Sequence, residues 1–256
     1  TDVVLVVNYF GLRDRSSLEG IELHGASLVV DHTHDPLSNW ALGDHADYAL
    51  ASLRKTLPIP EGGVLWSPAG HQLPEVPGLT DQRSRSLEAK RESMALKGRY
   101  LRGDPVDKSV FRALASEGES AMSRGPISGI SPETRRALAT LPVGPWRDQR
   151  ARNFATLVDA VGESPGLSIL APEGRGCPFS AFLLFDDPQV RDRVREVLIQ
   201  NACSPAVLWP LEESVLAGVP DEHRALAGRS LSVHCDMRYG TADMRRVAAL
   251  ILEGLA

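Results

Sequence analysis

The chain has 256 residues, 43% of them hydrophobic and 24% charged, enough to bury one large core or two unequal ones. A formal net charge of -5 and scattered basic residues give no general attraction to a phosphate backbone or an anionic bilayer, which excludes nucleic acid and membrane surfaces as expected partners. No apolar run approaches the roughly 20 residues that span a bilayer, and the opening TDVVLVVNYFG lacks the basic flank and cleavage site of a signal peptide, so a cytoplasmic location is expected.

The first 67 residues alternate short, continuous apolar runs with turn signals, the pattern of strands covered on both faces in a parallel sheet. Strands are predicted at 3–10, 27–31, 48–52 and 63–66, with a short helix in SSLEGIELHGAS between the first two. A strand entered directly after Thr1 suits a processed chain or a piece of a longer one. After the loop SPAGHQLPEVPG, the charged stretch 80–100 predicts a long exposed helix and 108–124 a second. Ser131, Pro132 and Glu133 form a helix start: a capping hydroxyl, a proline at the first helical position, and an acid at the positive end of the dipole. A further helix over 146–161 places Phe154, Leu157, Val158 and Val161 on one face.

From Gly166 the rhythm is that of a compact α+β unit, with strands near 167–170, 179–185 and 230–234 and a helix over 188–200. Thr241 is expected to cap a last helix whose Met244, Val247, Ala248, Ile251, Leu252 and Leu255 recur at helical spacing. A domain boundary is therefore placed near residue 140. Cys177, Cys203 and Cys235 are far apart, odd in number and set in apolar surroundings, as reduced core thiols are.

Three features of the first third converge on one chemistry. Asp31 ends the apolar run SLVVD, at the carboxyl end of a strand, where open α/β sheets place their ligands. A carboxylate there, paired with the ring nitrogen of pyridoxal, keeps that nitrogen protonated and the cofactor an electron sink; His34, three residues on, reaches the ring face or its phenolic oxygen. Lys55 lies in SLRK directly after strand 48–52, beside a second cation, Arg54, which favours the neutral, nucleophilic amine. Once freed by substrate, that amine can carry a proton between the substrate α-carbon and the cofactor. Ser52 and Arg54 are suited to a phosphate, and PIPEGG at 58–63 allows a tight reversal into the next strand.

Together these residues resemble the fold-type I pyridoxal-phosphate aminotransferases, especially the DegT-type branch that includes sugar aminotransferases. The resemblance runs through NYFG (8–11), VVDHTHD (29–35), ADYALASLRKTLPIPEGG (46–63), RDQRARNF (147–154), LWP (208–210) and HCDMRYGTADMRR (234–246). It implies an α/β fold: the later part of a mainly parallel large-domain sheet (1–140) with a smaller C-terminal α+β domain (141–256). It implies pyridoxal 5'-phosphate as cofactor, with Lys55 as the Schiff-base lysine, Asp31 as the pyridinium partner, His34 beside the ring, Ser52 as a phosphate ligand and Asn8 approaching the phenolic oxygen. Arg238 stands where many relatives hold a substrate carboxylate, a task that suits a planar fork. The expected reaction is transfer of an amino group from a small-molecule donor to a keto acceptor, a nucleotide-linked keto sugar or a secondary-metabolite intermediate. Relatives carry a further segment before the first strand, with the phosphate-binding turn and a ring-stacking aromatic. A homodimer, or a complex with that missing N-terminal half, is accordingly expected to be needed for activity.

Rival readings are weaker. His32, His34, Asp35, His45 and Asp47 suggest a metal centre, but extension to a His-x-His-x-Asp-His pattern fails at Pro36 and Leu37, and no metal is expected. Ser52-x-x-Lys55 matches an acyl-enzyme motif, yet that motif opens a helix, and neither Ser-Asp-Asn nor Lys-Thr-Gly occurs. An ion pair with Asp236 or Asp243 is the structural alternative for Arg238. The non-enzymatic alternative is a degenerate aminotransferase-like subunit that stabilises or regulates a partner.

Overall fold

The computed structural model of the protein describes residues 2–43, 45–174, 176–208, 211 and 217–256. Strands and helices mingle through the chain, in the α/β class read from the sequence. The sequence reading draws one boundary near residue 140. Packing divides the chain at two points: Thr1–His45 joins Pro142–Ala256 in one unit, and Ala46–Leu141 forms the other. The physical reason is a set of long-range ties from the first 45 residues to chain beyond residue 142, described below.

In the first unit, β1 (Val3–Val7) and β2 (Ser27–Asp31) pair in parallel, with Val3 opposite Ser27 and Val7 opposite Asp31. Strand β1 is three residues shorter than expected because Phe10 turns to φ 57, outside the strand region, and Tyr9–Gly11 forms a 3-10 turn. A left-handed phenylalanine costs about 1–3 kcal/mol and persists only where surrounding contacts fix it. Gly11 (φ +68) follows, and a Cβ there would lie 2.5 Å from the Cys177 carbonyl oxygen, so glycine is required twice over. The expected helix after β1 is only a 3-10 turn, Arg15–Leu18, followed by chain that reverses through left-handed His24 and Gly25. Nor are both faces of β1 covered: Val3 and Leu5 are exposed. A short helix α1 (Asn39–Leu42), capped by Ser38, follows β2.

The second unit begins with β3 (Tyr48–Ser52) and β4 (Gly63–Trp66), an antiparallel pair closed by the Leu53 N–H donating to the Gly62 carbonyl at 3.0 Å. Helices α2 (Asp81–Leu101) and α3 (Lys108–Arg124) then form an antiparallel hairpin, with the Ser93 hydroxyl on the Phe111 carbonyl at 2.7 Å and Gly118 against Ser86 and Lys90. A Cβ at Gly118 would stand 2.5 Å from the Lys90 side chain and 3.0 Å from the Ser86 carbonyl oxygen. Gly118→Leu is therefore expected to lower the stability of the helical hairpin by about 1–3 kcal/mol, the usual cost of overpacking, read as a lower denaturation midpoint. Helix α4 (Pro132–Thr140) starts as expected: Ser131 Oγ accepts from the Thr134 N–H, with Pro132 at the first helical position.

Returning to the first unit, α5 (Val143–Val161) starts three residues earlier than predicted. Strands β5 (Leu167–Ile169), β6 (Ala181–Phe185) and β7 (Ser230–Val233) form an antiparallel sheet in the order β5-β6-β7. Helices α6 (Pro188–Gln200), α7 (Asp221–Gly228) and α8 (Thr241–Leu255) complete it. Phe154 and Leu157 of α5, Leu183 and Phe185 of β6, Leu198 of α6, Leu231 of β7 and Met244 and Ile251 of α8 share one core. Each such side chain contributes about 1.5–3 kcal/mol of burial. Leu250 rather than Leu252 completes the buried face of α8, and its cap is not Thr241: the Asp243 carboxylate accepts from the Gly240 N–H at 2.8 Å. Among the described residues no helix is long and apolar enough to cross a membrane.

Candidate active site

In the first unit, Asn8, Asp31 and His34 are brought together at the carboxyl ends of β1 and β2. The Asn8 N–H donates to the Asp31 carbonyl at 2.9 Å, extending the parallel ladder by one residue. Its side chain is 1% exposed. Oδ1 accepts from the Arg13 N–H at 3.1 Å, while Nδ2 is buried without a hydrogen-bond partner among the described residues. A buried amide donor left unpaired costs about 1–3 kcal/mol, so this atom calls for an acceptor that the described residues do not supply. The Asp31 carboxylate uses Oδ1 to take the Thr33 N–H at 2.8 Å, a local turn that fixes its orientation.

His34 is held by an aromatic group. Its ring stacks on Phe179 (centroids 4.7 Å apart) and Phe10 (5.6 Å), and Phe10 in turn touches Phe182 at 4.7 Å. The Phe10 N–H donates to Nδ1 at 2.8 Å, which puts the imidazole proton on Nε2. The left-handed turn at Phe10 is what aims that N–H at the ring, and the Phe179 N–H onto the Phe10 carbonyl at 2.6 Å locks it.

Beneath His34, Asp35 is buried and takes the fork of Arg147 (Nε to Oδ1 and Nη2 to Oδ2, both 2.8 Å) as well as the Cys177 N–H at 3.1 Å. This ion pair raises the pKa of Arg147 above its ordinary value, its hydrogen bond to Asp35 outweighing burial. The sequence reading weighed Asp35 only as a metal ligand. The remaining members of that reading are elsewhere engaged: His32 lies edge-on to Trp40, and Asp47 meets His71 at 2.9 Å in the other unit. Among the described residues no group of three such side chains is placed to hold a metal ion. Cys177 and Cys235 are buried thiols, pushed up by desolvation to about 11 and about 12.

Arg238 forms an ion pair with Asp236, Nε to Oδ1 at 2.8 Å and Nη2 to Oδ2 at 2.6 Å. Burial alone would raise the Asp236 carboxyl, but Arg238 holds it below its ordinary range. Asn153, fully buried on α5, carries this loop: its amide donates to the carbonyls of Cys235, Asp236 and Tyr239 at 2.9–3.1 Å. The RDQRARNF segment signalled importance without revealing these two tasks, one for Arg147 and one for Asn153.

In the second unit, Ser52 ends β3 and Lys55 ends the 3-10 turn Leu53–Lys55 that follows. Lys55 is exposed and has no hydrogen bond or ion pair among the described residues. Arg54 is not the bare neighbouring cation expected: both its terminal nitrogens grip Glu119, at 2.8 and 2.7 Å, and Glu119 also takes Lys90 at 2.9 Å. Glu61, of the PEGG turn, is buried and caps α4, accepting from the Ser131 N–H at 2.8 Å and the Thr134 hydroxyl at 3.1 Å. Of the quoted motifs, Trp209 and Pro210 in LWP lie outside the described residues.

No protein-family description matches the sequence, and no curated protein matches it. Solved structures do. Aminotransferase TlmJ from Streptoalloteichus hindustanus aligns over all of this chain and 66% of its own, with a TM-score of 0.61 at 17% identity. DesI, determined with its TDP-sugar product, aligns over all of this chain and 63% of its own, at a TM-score of 0.57 and 19% identity. The chain has the fold-type I aminotransferase fold. A DegT DnrJ EryC1 StrS aminotransferase from Brucella abortus shares it at a TM-score of 0.58 and 12% identity. The chain thus spans just under two thirds of DesI and TlmJ.

Proposed function

We propose that this chain acts in a pyridoxal-phosphate-dependent aminotransferase, moving an amino group from an amino-acid donor to a keto acceptor. The observation that carries the reading is the orphaned Asn8 Nδ2, buried beside Asp31 at the open end of a parallel strand pair. It is a donor in search of an oxygen, next to a carboxylate whose Oδ1 is committed and whose Oδ2 has no partner among the described residues. A heteroaromatic ring carrying a phenolic oxygen and a protonated ring nitrogen satisfies both.

When bound, the cofactor supplies an electron sink for the bond broken at the substrate α-carbon. Asp31 would keep a proton on the ring nitrogen, Asn8 Nδ2 would donate to the phenolic oxygen, and the His34 imidazole, oriented by Phe10 and Phe179, would help to hold the ring. Ser52 donates to the phosphate. Lys55 would anchor the cofactor through Nζ and afterwards carry the proton at the substrate carbon, two moves open to an exposed amine on a short turn. Arg238 keeps Nη1 for a substrate carboxylate while Asp236 fixes its other two nitrogens. The acceptor is a nucleotide-linked keto sugar, the reading that the likeness to DesI supports. Residues outside this sequence, in the same polypeptide or a partner subunit of a homodimer, supply the rest of the phosphate grip.

Incubation with pyridoxal phosphate, borohydride reduction and peptide mapping tests this directly. The cofactor is expected on Lys55. Labelling of another lysine in its place would remove Lys55 from its role.

A further inference from the structure

A cavity of about 560 Å³ in the second unit opens beside Ser52 and is lined by three guanidinium groups, Arg54, Arg83 and Arg135. Its two carboxylates are already spent. Glu61 is turned onto the start of α4, and Glu119 is shared between Arg54 and Lys90. Arg83 and Arg135 have no side-chain partner among the described residues; only their backbone N–H groups are engaged, on Thr80 and Ser131. Two guanidiniums without carboxylate partners on one cavity leave their donors to water or to an anion, and their planar forks match phosphate oxygens better than a point charge would. The lining is mixed, with Val76, Met122 and Ile130 beside the charges, so an organic group can follow the anion in.

We infer that this cavity is a binding site for a phosphate-bearing anion, held by Arg83 and Arg135, with Arg54 fixed in its wall by Glu119. The site goes beyond the cofactor reading: no residue of α2 or α4 has a part in that chemistry. Ser52 borders both, and the test must separate them.

Inorganic pyrophosphate, titrated calorimetrically into the 256-residue chain, is expected to bind at one saturable site that weakens as salt rises. Arg83→Ala/Arg135→Ala is expected to weaken it about tenfold or more, the effect of losing charge-assisted hydrogen bonds. Arg13→Ala/Arg15→Ala, which removes two arginines from a separate cavity of about 380 Å³ in the first unit, should leave the affinity unchanged. Phenyl phosphate binding more tightly than inorganic phosphate would identify the ligand as an organic phosphoester; equal affinity would identify it as the inorganic ion. No saturable binding, or equal losses in both arginine pairs, overturns the site. The cofactor reading fails separately: Lys55→Ala should keep pyrophosphate binding, and Arg83→Ala/Arg135→Ala should keep the cofactor label on Lys55. Loss of that label in the arginine variant would merge the cavity with the cofactor site and overturn the inference.

Discussion

Lys55→Ala is expected to lower kcat/KM for amino transfer by about 10²- to 10⁴-fold, the range that a positioned proton-transfer group supplies, and more if the covalent anchor is indispensable. The same change should leave stability within about 0.5 kcal/mol of the parent, because the ammonium is exposed and no described residue binds it. That separation makes the variant informative. Lysine 55 is held in place by backbone, with the Thr56 and Leu57 N–H groups closing on the Leu53 carbonyl at 3.1 and 2.9 Å, so alanine keeps the turn. Steady-state kinetics beside chemical denaturation reads both quantities. Activity within tenfold of the parent would show that the amine takes no part in the reaction, and a large drop in the denaturation midpoint would assign it a structural role.

Asp35→Ala should do the reverse. Its carboxylate is 1% exposed and receives three hydrogen bonds, two from Arg147 and one from the Cys177 N–H. Removing Asp35 takes from Arg147 the carboxylate that fills its fork, and breaking a buried pair costs about 3–5 kcal/mol. The Arg147 side chain is 24% exposed, so water shares its charge and the low end of that range is expected. A double-mutant cycle with Arg147→Met isolates the pair: the two losses should be clearly less than additive. Additive losses would mean that the fork contributes nothing of its own. Because Asp35 follows His34 directly, Asp35→Ala should also loosen the histidine from Phe179, seen as a shift in the imidazole proton resonances.

Much of this structure is legible in the residues. Continuous apolar runs located every strand of the first 67 residues, although Val3 and Leu5 of β1 and Val64 and Leu65 of β4 lack the cover those runs imply. Ser131-Pro132-Glu133 located α4, because helix capping is decided within a few residues. What the chain conceals is whatever distant partners decide. Phe10 reads as a strand residue until its carbonyl is seen accepting from Phe179, and nothing local forces φ 57. Arg54 reads as a free cation until Glu119, 65 residues away, takes it. Glu61 reads as part of a reversal, yet its task is to cap a helix 70 residues on. The proposed site residues Asn8, Asp31, His34, Ser52 and Lys55 are a pattern in the sequence; the orphaned amide of Asn8 is not, since an unpaired donor has no local signature.

The division of the first unit into Thr1–His45 and Pro142–Ala256 bears on how the molecule is made. Asp35 waits for Arg147 across 112 residues and for Cys177 across 142. Closing so long a loop is not much dearer than closing a short one, about 0.6 kcal/mol for each doubling, but it is slow. A ribosome adding about 5–20 residues per second exposes β1 and β2 for several seconds before α5 emerges. Ala46–Leu141, a compact unit of its own, has by then been synthesised in full. Nascent-chain proteolysis should therefore show the central segment protected first, with the loop at Asp35 gaining its native partners only after the chain beyond Cys177 has emerged.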